Sequence, residues 1–418
     1  MDVSPRVPLD VLEHIAAARC EVPPYYRKND INGAIHLDVP YLPPPREWTA
    51  VNLLLASRLT HRAASRFSWS CVRVSRVDDF DKLIDTLEGG HIYLGEGRTM
   101  GHYIRTLGLG CTGTEDWSVP QLFGFNGENV PNLDILHIDD ALWPLDVVQT
   151  IMRLQEDFAP FPSPSIFPSS LDTLLLTSTK RPVSIADLTV LSITAPNISR
   201  LQVASFNWNA NTPTEAQVSR PSYRFRQLEW LALGASVVAG PDEPPPTLST
   251  LSKLLSVLST GSGLPCLKRL DILSPLDIPR DFTDLHADTL EIVAMTSTKR
   301  PPMHLTPALR RFLRLRHVVL IMGDAYNSFP LGHPTVTEIT LSRPPFPPDG
   351  PLPSIRRHTS QGSQRHVMQA LRDIVKLLPY YPSLETVTVT VEEGFLPWLG
   401  SVERRFRERS IVIRTVVL

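Results

Sequence analysis

Leu228-Glu229-Trp230-Leu231-Ala232-Leu233 and Leu267-Lys268-Arg269-Leu270-Asp271-Ile272 share one pattern: apolar, two residues, apolar, one residue, apolar. The last two apolar residues alternate, so they point to one face of a short strand. The first sits in the preceding turn and plugs the same core. A unit this small cannot bury its own apolar face, whereas a stack of parallel units buries a continuous one.

Working outward in both directions, the pattern recurs. Upstream it reads Ile104-Leu107-Leu109, Leu133-Leu136-Ile138, Leu171-Leu174-Leu176 and Ile198-Leu201-Val203. Downstream it reads Leu290-Val293-Met295, Leu315-Val318-Leu320, Val336-Ile339-Leu341 and Leu384-Val387-Val389. First positions lie between 21 residues apart (315 to 336) and 48 apart (336 to 384). Most intervals fall near the ~20–29 residue period of leucine-rich repeats, and the long ones carry insertions. Pro131, Pro196, Pro265, Pro334 and Pro382 each stand two residues before a first position, where proline fixes the turn into the strand. Thr-Ser-Thr-Lys-Arg-Pro occurs at 177–182 and again at 296–301, each time directly after the last apolar residue of a repeat.

Helical spacing fills the gaps. Phe80, Leu83, Ile84 and Leu87 precede Gly89-Gly90; Leu248, Leu251, Leu254, Leu255 and Leu258 precede Gly261. Val367, Leu371, Ile374 and Leu378 precede the last repeat, and residues 145–157 form another helical stretch. A polar helix near 396–409 and an apolar strand, Ile411 to Val417, are expected to cap the array.

Composition narrows the function classes. With 41 basic and 43 acidic residues the net charge is -2, which favours neither nucleic acid nor an anionic membrane as partner. Four cysteines, no two close together, exclude a zinc ribbon and suggest a reducing compartment. Met1-Asp2-Val3-Ser4-Pro5 lacks the basic start and apolar core of a signal peptide, and no apolar run approaches the ~18 residues of a membrane helix. The expected location is intracellular, cytoplasmic or nuclear. The 40 prolines suit short modules better than a continuous enzyme sheet.

Ahead of the repeats the pattern changes. Val7-Pro8-Leu9-Asp10-Val11-Leu12-Glu13-His14-Ile15 places proline at a helix start and Val11, Leu12 and Ile15 on one face. Ala56-Ser57-Arg58 lies within a second helical stretch that starts at Trp48 and continues through Phe67, and Trp69 precedes the alternating Val72 and Val74. These residues resemble the F-box, whose pattern begins Leu-Pro-x-Glu-Ile-Leu-x-x-Ile and continues Val-Ser/Cys-Arg/Lys-x-Trp. Thr60 stands at the central tryptophan position, and an insertion near 21–46 separates the halves. Fungal F-box proteins couple this module to irregular leucine-rich repeats. The resemblance therefore implies an α/β chain in two parts: a short helical F-box-like module over 1–77, then an irregular leucine-rich-repeat solenoid over 78–418, with parallel strands alternating with helices and loops. It implies a substrate-recognition subunit of a Skp1–cullin–F-box ubiquitin ligase. Pro8, Val11, Leu12, Ile15 and Trp69 would meet a Skp1-like adaptor or form the small core behind it. A non-catalytic repeat scaffold with a degenerate F-box is the alternative, and an enzyme carried on a solenoid is a third reading.

By similarity to leucine-rich repeats, residues beside the inward apolar pair line a concave target-binding face. That row holds His137, Asp139, Arg200, Gln202, Trp230, Arg269, Asp271, His317 and Glu338; in this register Trp230 is exposed, the alternative being that it packs under a Pro-rich loop such as 241–246 and binds nothing. Lys180-Arg181 and Lys299-Arg300 occupy one position in two repeats, an anion-gripping rim or simply two solvated loops. Gly108-Leu109-Gly110-Cys111-Thr112-Gly113 has dinucleotide-loop spacing, but Glu115, Asp116 and Pro120 follow, so a loop ending a repeat strand is expected. No HExxH, GxSxG or Walker lysine pattern is present, and no catalytic residue, metal ligand or cofactor is assigned.

Overall fold

The computed structural model describes residues 69–74, 77–88, 99–110, 128–139, 167–176, 182–185, 188, 191–192, 195, 197–206, 225–234, 248–259, 264–273, 276–296, 305–322, 332–342, 353–391 and 396–417. They hold twelve strands. The chain divides into two compact units. The first carries β1 (Cys71–Val74), β2 (Thr106–Gly110), β3 (Ile135–Asp139) and β4 (Thr173–Leu176). The second carries β5 (Arg200–Val203), β6 (Trp230–Leu233), β7 (Arg269–Ile272), β8 (Ile292–Thr296), β9 (His317–Ile321), β10 (Glu338–Ser342), β11 (Thr386–Val391) and β12 (Val412–Val417). Within each unit every strand pairs in parallel with the next in sequence, so spatial order equals chain order. That is the α/β, repeat-like arrangement a solenoid requires.

The repeat begins in the turn. The N–H of Leu133 donates to Val130 O, that of Leu267 to Leu264 O, and that of Leu384 to Tyr381 O. Pro131, Pro265 and Pro382 occupy the second position of these turns, where a fixed φ is preorganised. The residue opening each turn (Val130, Phe225, Leu264, Phe312, Tyr381) is itself buried, a fourth core position per repeat that the three-apolar pattern omits. Two successive amides then dock on the previous repeat: Lys268 N and Arg269 N both donate to Glu229 O, and Arg316 N and His317 N to Glu291 O. Charges at this docking position pair between neighbouring repeats, Lys268 with Glu229 at 2.7 Å and Arg316 with Glu291 at 2.7 Å. Such exposed pairs contribute at most about 1 kcal/mol each.

The register sets the core. Leu201, Leu231, Leu270, Val293, Val318, Ile339 and Val387 lie side by side, and Val203, Leu233, Ile272, Met295, Leu320, Leu341 and Val389 form the next row. All are buried. Burying one such side chain fully is worth about 1.5–3 kcal/mol, which drives the stacking. We call this the leucine face.

Helices connect the strands: α1 (Val77–Glu88), α2 (Leu248–Ser259), α3 (Arg280–Leu285), α4 (Leu305–Leu309), α5 (Pro353–Leu377) and α6 (Leu396–Arg407). The apolar faces of α1, α2 and α5 are those read from the spacing: Leu83 and Leu87, then Leu251, Leu254, Leu255 and Leu258, then Val367, Leu371 and Ile374 are buried, whereas the short α3 and α4 had no such signal. The helical stretch at 145–157 and residues 1–68, which hold most of the F-box-like motif, lie outside the described residues. The sheet starts earlier than expected. Residues 71–74, read as the end of the N-terminal module, are β1, and they pair with Thr106–Leu109. No helix among the described residues is long and apolar enough to cross a membrane.

Candidate interaction surface

Side chains opposite the leucine face follow the same register. One row reads Arg200, Trp230, Arg269, Ile292, His317, Glu338, Thr386 and Val412. Two residues on, the next reads Gln202, Ala232, Asp271, Ala294, Val319, Thr340, Thr388 and Arg414.

From β5 to β9 this face is buried, which corrects the expectation of an exposed binding row. Trp230 is 4% exposed, and Arg269 and Asp271 are 0%. Arg200, Gln202 and His317 are buried too, as is His137 in the first unit. The Trp230 ring lies between two guanidinium groups, Arg200 at 3.8 Å and Arg269 at 3.9 Å from its centroid. A desolvated contact of this kind is worth about 2 kcal/mol. The indole N–H donates to Asp271 Oδ2, and Arg269 Nε donates to Asp271 Oδ1 at 2.9 Å. Two strands beyond β7, His317 Nε2 and Thr340 Oγ1 share a hydrogen bond of 2.9 Å. Around these polar groups packs an apolar cluster of Trp230, Ala232, Leu273, Ile292, Ala294, Val319 and Ile321.

The electrostatics follow from burial. Desolvation lowers the His317 pKa to about 4, helped by the Arg269 and Arg316 charges, so the imidazole is neutral at pH 7. Desolvation pushes the Asp271 carboxyl up, while Arg269, Trp230 and Arg200 pull it back. A closed ion pair in an apolar cluster adds little net stability, but removing one partner strands the other charge. The cluster is suited to fixing the register of β5–β9, and it offers no surface to a protein.

The cover was legible in the sequence over β8 and β9 alone. Ile292-Val293-Ala294-Met295 and His317-Val318-Val319-Leu320-Ile321 are near-continuous apolar runs, the signature of parallel strands buried on both faces. Arg200-Leu201-Gln202-Val203 and Arg269-Leu270-Asp271-Ile272 alternate strictly and are buried all the same, while alternation in Glu338-Ile339-Thr340-Leu341 and Thr386-Val387-Thr388-Val389 accompanies a partly open face.

Over β10 to β12 the face opens by degrees, with Thr340 still buried. Glu338, Thr386 and Thr388 are half-buried, Arg414 is exposed, and Val412 is 54% exposed. Thr388 Oγ1 donates to Glu338 Oε1 at 3.2 Å. Among the described residues the accessible part of this face is therefore its C-terminal end, where Glu338 alone belongs to the expected row.

The other expected site residues distribute as follows. Trp69 is half-buried immediately ahead of β1. Pro8, Val11, Leu12 and Ile15 lie outside the described residues, as do Lys180, Arg181, Lys299 and Arg300. Asp139 ends β3, with its side chain outside the described set. Gly108 and Gly110 lie within β2, and Gly108 pairs with His137. Among the described residues no group of three or more histidines, cysteines and acids is placed to hold a metal ion.

No family model matches the chain, and no curated protein is significantly similar to it in sequence.

Proposed function

We propose that the chain is a non-catalytic interaction protein, the target-binding subunit of a Skp1–cullin–F-box ubiquitin ligase. In this reading the segment around Pro8, Val11, Leu12 and Ile15 recruits a Skp1-like adaptor, and the repeat sheet presents a surface to a protein target. The observation that carries it is a repeat-like parallel sheet, a scaffold suited to protein binding, starting directly after the F-box-like Trp69. The resemblance at 7–15 and 56–74 supplies the ligase half of the reading. The chain needs no cofactor for this role and acts within the cell.

Thr60 and the insertion near 21–46 favour a second reading, a repeat scaffold that no longer recruits a ligase. A pull-down with a Skp1-type adaptor separates them. Capture of the adaptor, lost on Leu12→Asp combined with Ile15→Asp, supports the ligase subunit. A folded chain that ignores the adaptor at high concentration leaves the scaffold.

A further inference from the structure

We infer that the outer edge of β12 is a docking site for an extended, acidic peptide segment of a partner, which adds to the sheet as a further strand. The inference rests on the target-binding half of the preceding reading and not on adaptor recruitment.

Among the described residues β12 has one neighbour, β11. The Val412 N–H donates to Glu385 O at 2.8 Å, on the β11 side. Backbone groups alternate along a strand, so the N–H and C=O of Ile413 and Thr415 point to the open edge. The side chains tell the same story. In interior repeats the positions in register with Ile413 and Thr415 are buried, as at Val387 and Val389. On β12, Ile413 is only half-buried and Thr415 is exposed. On the other face Val412 is the exposed apolar residue and Arg414 the exposed charge. Among the described residues this strand keeps apolar side chains and unpaired ladder groups at its outer edge.

Charge identifies the occupant. Residues 399–415 carry Arg404, Arg405, Arg407, Arg409 and Arg414 against only Glu403 and Glu408. Both acids are already engaged, Glu403 with Arg407 at 2.7 Å and Glu408 with Arg404 at 3.5 Å. Arg405, Arg409 and Arg414 are exposed, and among the described residues they form no ion pair. A second copy of β12 fits badly, because Ile411 to Leu418 hold a cation and no anion, so self-pairing opposes Arg414 with its own copy or with apolar residues. An arginine on an open edge discourages indiscriminate pairing; the strand it admits carries an acid opposite. Cross-strand neighbours of Val412 and Arg414 lie two residues apart, so the recognised segment reads apolar, any residue, acidic.

The test uses the full chain and two fluorescein-labelled synthetic peptides, one alternating valine with glutamate and one alternating valine with lysine, in fluorescence anisotropy. Saturable binding of the glutamate peptide, at least about tenfold tighter than the lysine peptide, is expected. Arg414→Glu, a change at an exposed side chain, abolishes that preference. Thr415→Pro removes an edge N–H, a substitution edge strands tolerate, and abolishes binding while circular dichroism is unchanged. Equal binding of the two peptides, or an unaltered preference in Arg414→Glu, overturns the inference. So does a dimer in sedimentation that Thr415→Pro dissociates, because the occupant is then a second copy. Adaptor capture on the same preparation keeps the two readings apart: capture without peptide binding removes this inference alone, and peptide binding without capture removes the ligase reading alone.

Discussion

The indole N–H of Trp230 donates to the carboxylate of Asp271, a residue 41 positions further along the chain and one strand away. The bond ties β6 to β7 on the face opposite the leucines, and Arg269 closes it from the other oxygen. Three side chains that read as a binding row are thus a buried brace.

That brace makes a double substitution informative. Arg269→Ala is expected to cost about 3–5 kcal/mol in denaturant unfolding, because Asp271 is left charged and buried. Trp230→Ala is expected to cost a similar amount through its cavity. Arg269→Met with Asp271→Leu removes both charges and should be less destabilising than Arg269→Ala alone. If Arg269→Ala keeps wild-type stability, the row is exposed after all.

Acid should loosen the repeats. His317 and His286 are buried with pKa values lowered to about 4 by desolvation, from an unfolded value near 6.5, and burial lowers His333 in the same direction. Between those limits the unfolded chain binds more protons than the folded one, so stability is full above pH ~6.5 and falls as pH drops toward 4. His317 and His286 contribute at most about 3 kcal/mol each to that loss. Asp271, raised by burial, works in the opposite direction. His317→Gln should flatten the pH dependence of the unfolding midpoint; an unchanged slope would show that this histidine is not buried neutral.

Helix α6 ends in a left-handed residue that is not glycine. Ser410 has φ 60°, its N–H donates to Arg407 O, and Ile411 N–H donates back to Phe406 O. This is the Schellman closure, in which glycine is the unstrained choice. Ser410→Gly should raise stability by about 0.5–1 kcal/mol, read as a higher melting temperature. No gain, or a loss, contradicts that geometry.

Gly332 is held by close approach. A Cβ built there meets the Cβ and backbone carbonyl of Tyr380, so no side chain can swing away to make room. Gly332→Ala should cost about 1–3 kcal/mol through overpacking. Gly400 sits at an exposed position of α6 with open space around it, and Gly400→Ala should stabilise the helix by about 1 kcal/mol. Thermal melts of the pair check both signs; equal effects would refute the packing around Gly332.

The sequence by itself determined the repeat. Ten apolar triplets at Ile104 through Val389 match ten of the twelve strands, β2 to β11, because each triplet encodes a local event, a turn followed by a two-residue alternation. The prolines mark those turns for the same local reason, and helices α1, α2 and α5 follow from spacing on one face, while the short α3 and α4 gave no such signal. Whether the second face of the sheet meets water was a tertiary matter. Alternation tells which side a residue takes, but what lies over that side depends on segments far away in sequence, so Trp230 and Arg269 read as exposed and are buried. The outlier runs in β8 and β9 carried that information; the triplet pattern, which counts only the leucine face, could not register it. The open edge at Val412 and Arg414 was likewise undecided in sequence, since an apolar strand at the end of an array reads the same with or without a neighbour. Only the placement of β12 beside β11, with its other side unpaired among the described residues, leaves those ladder groups free.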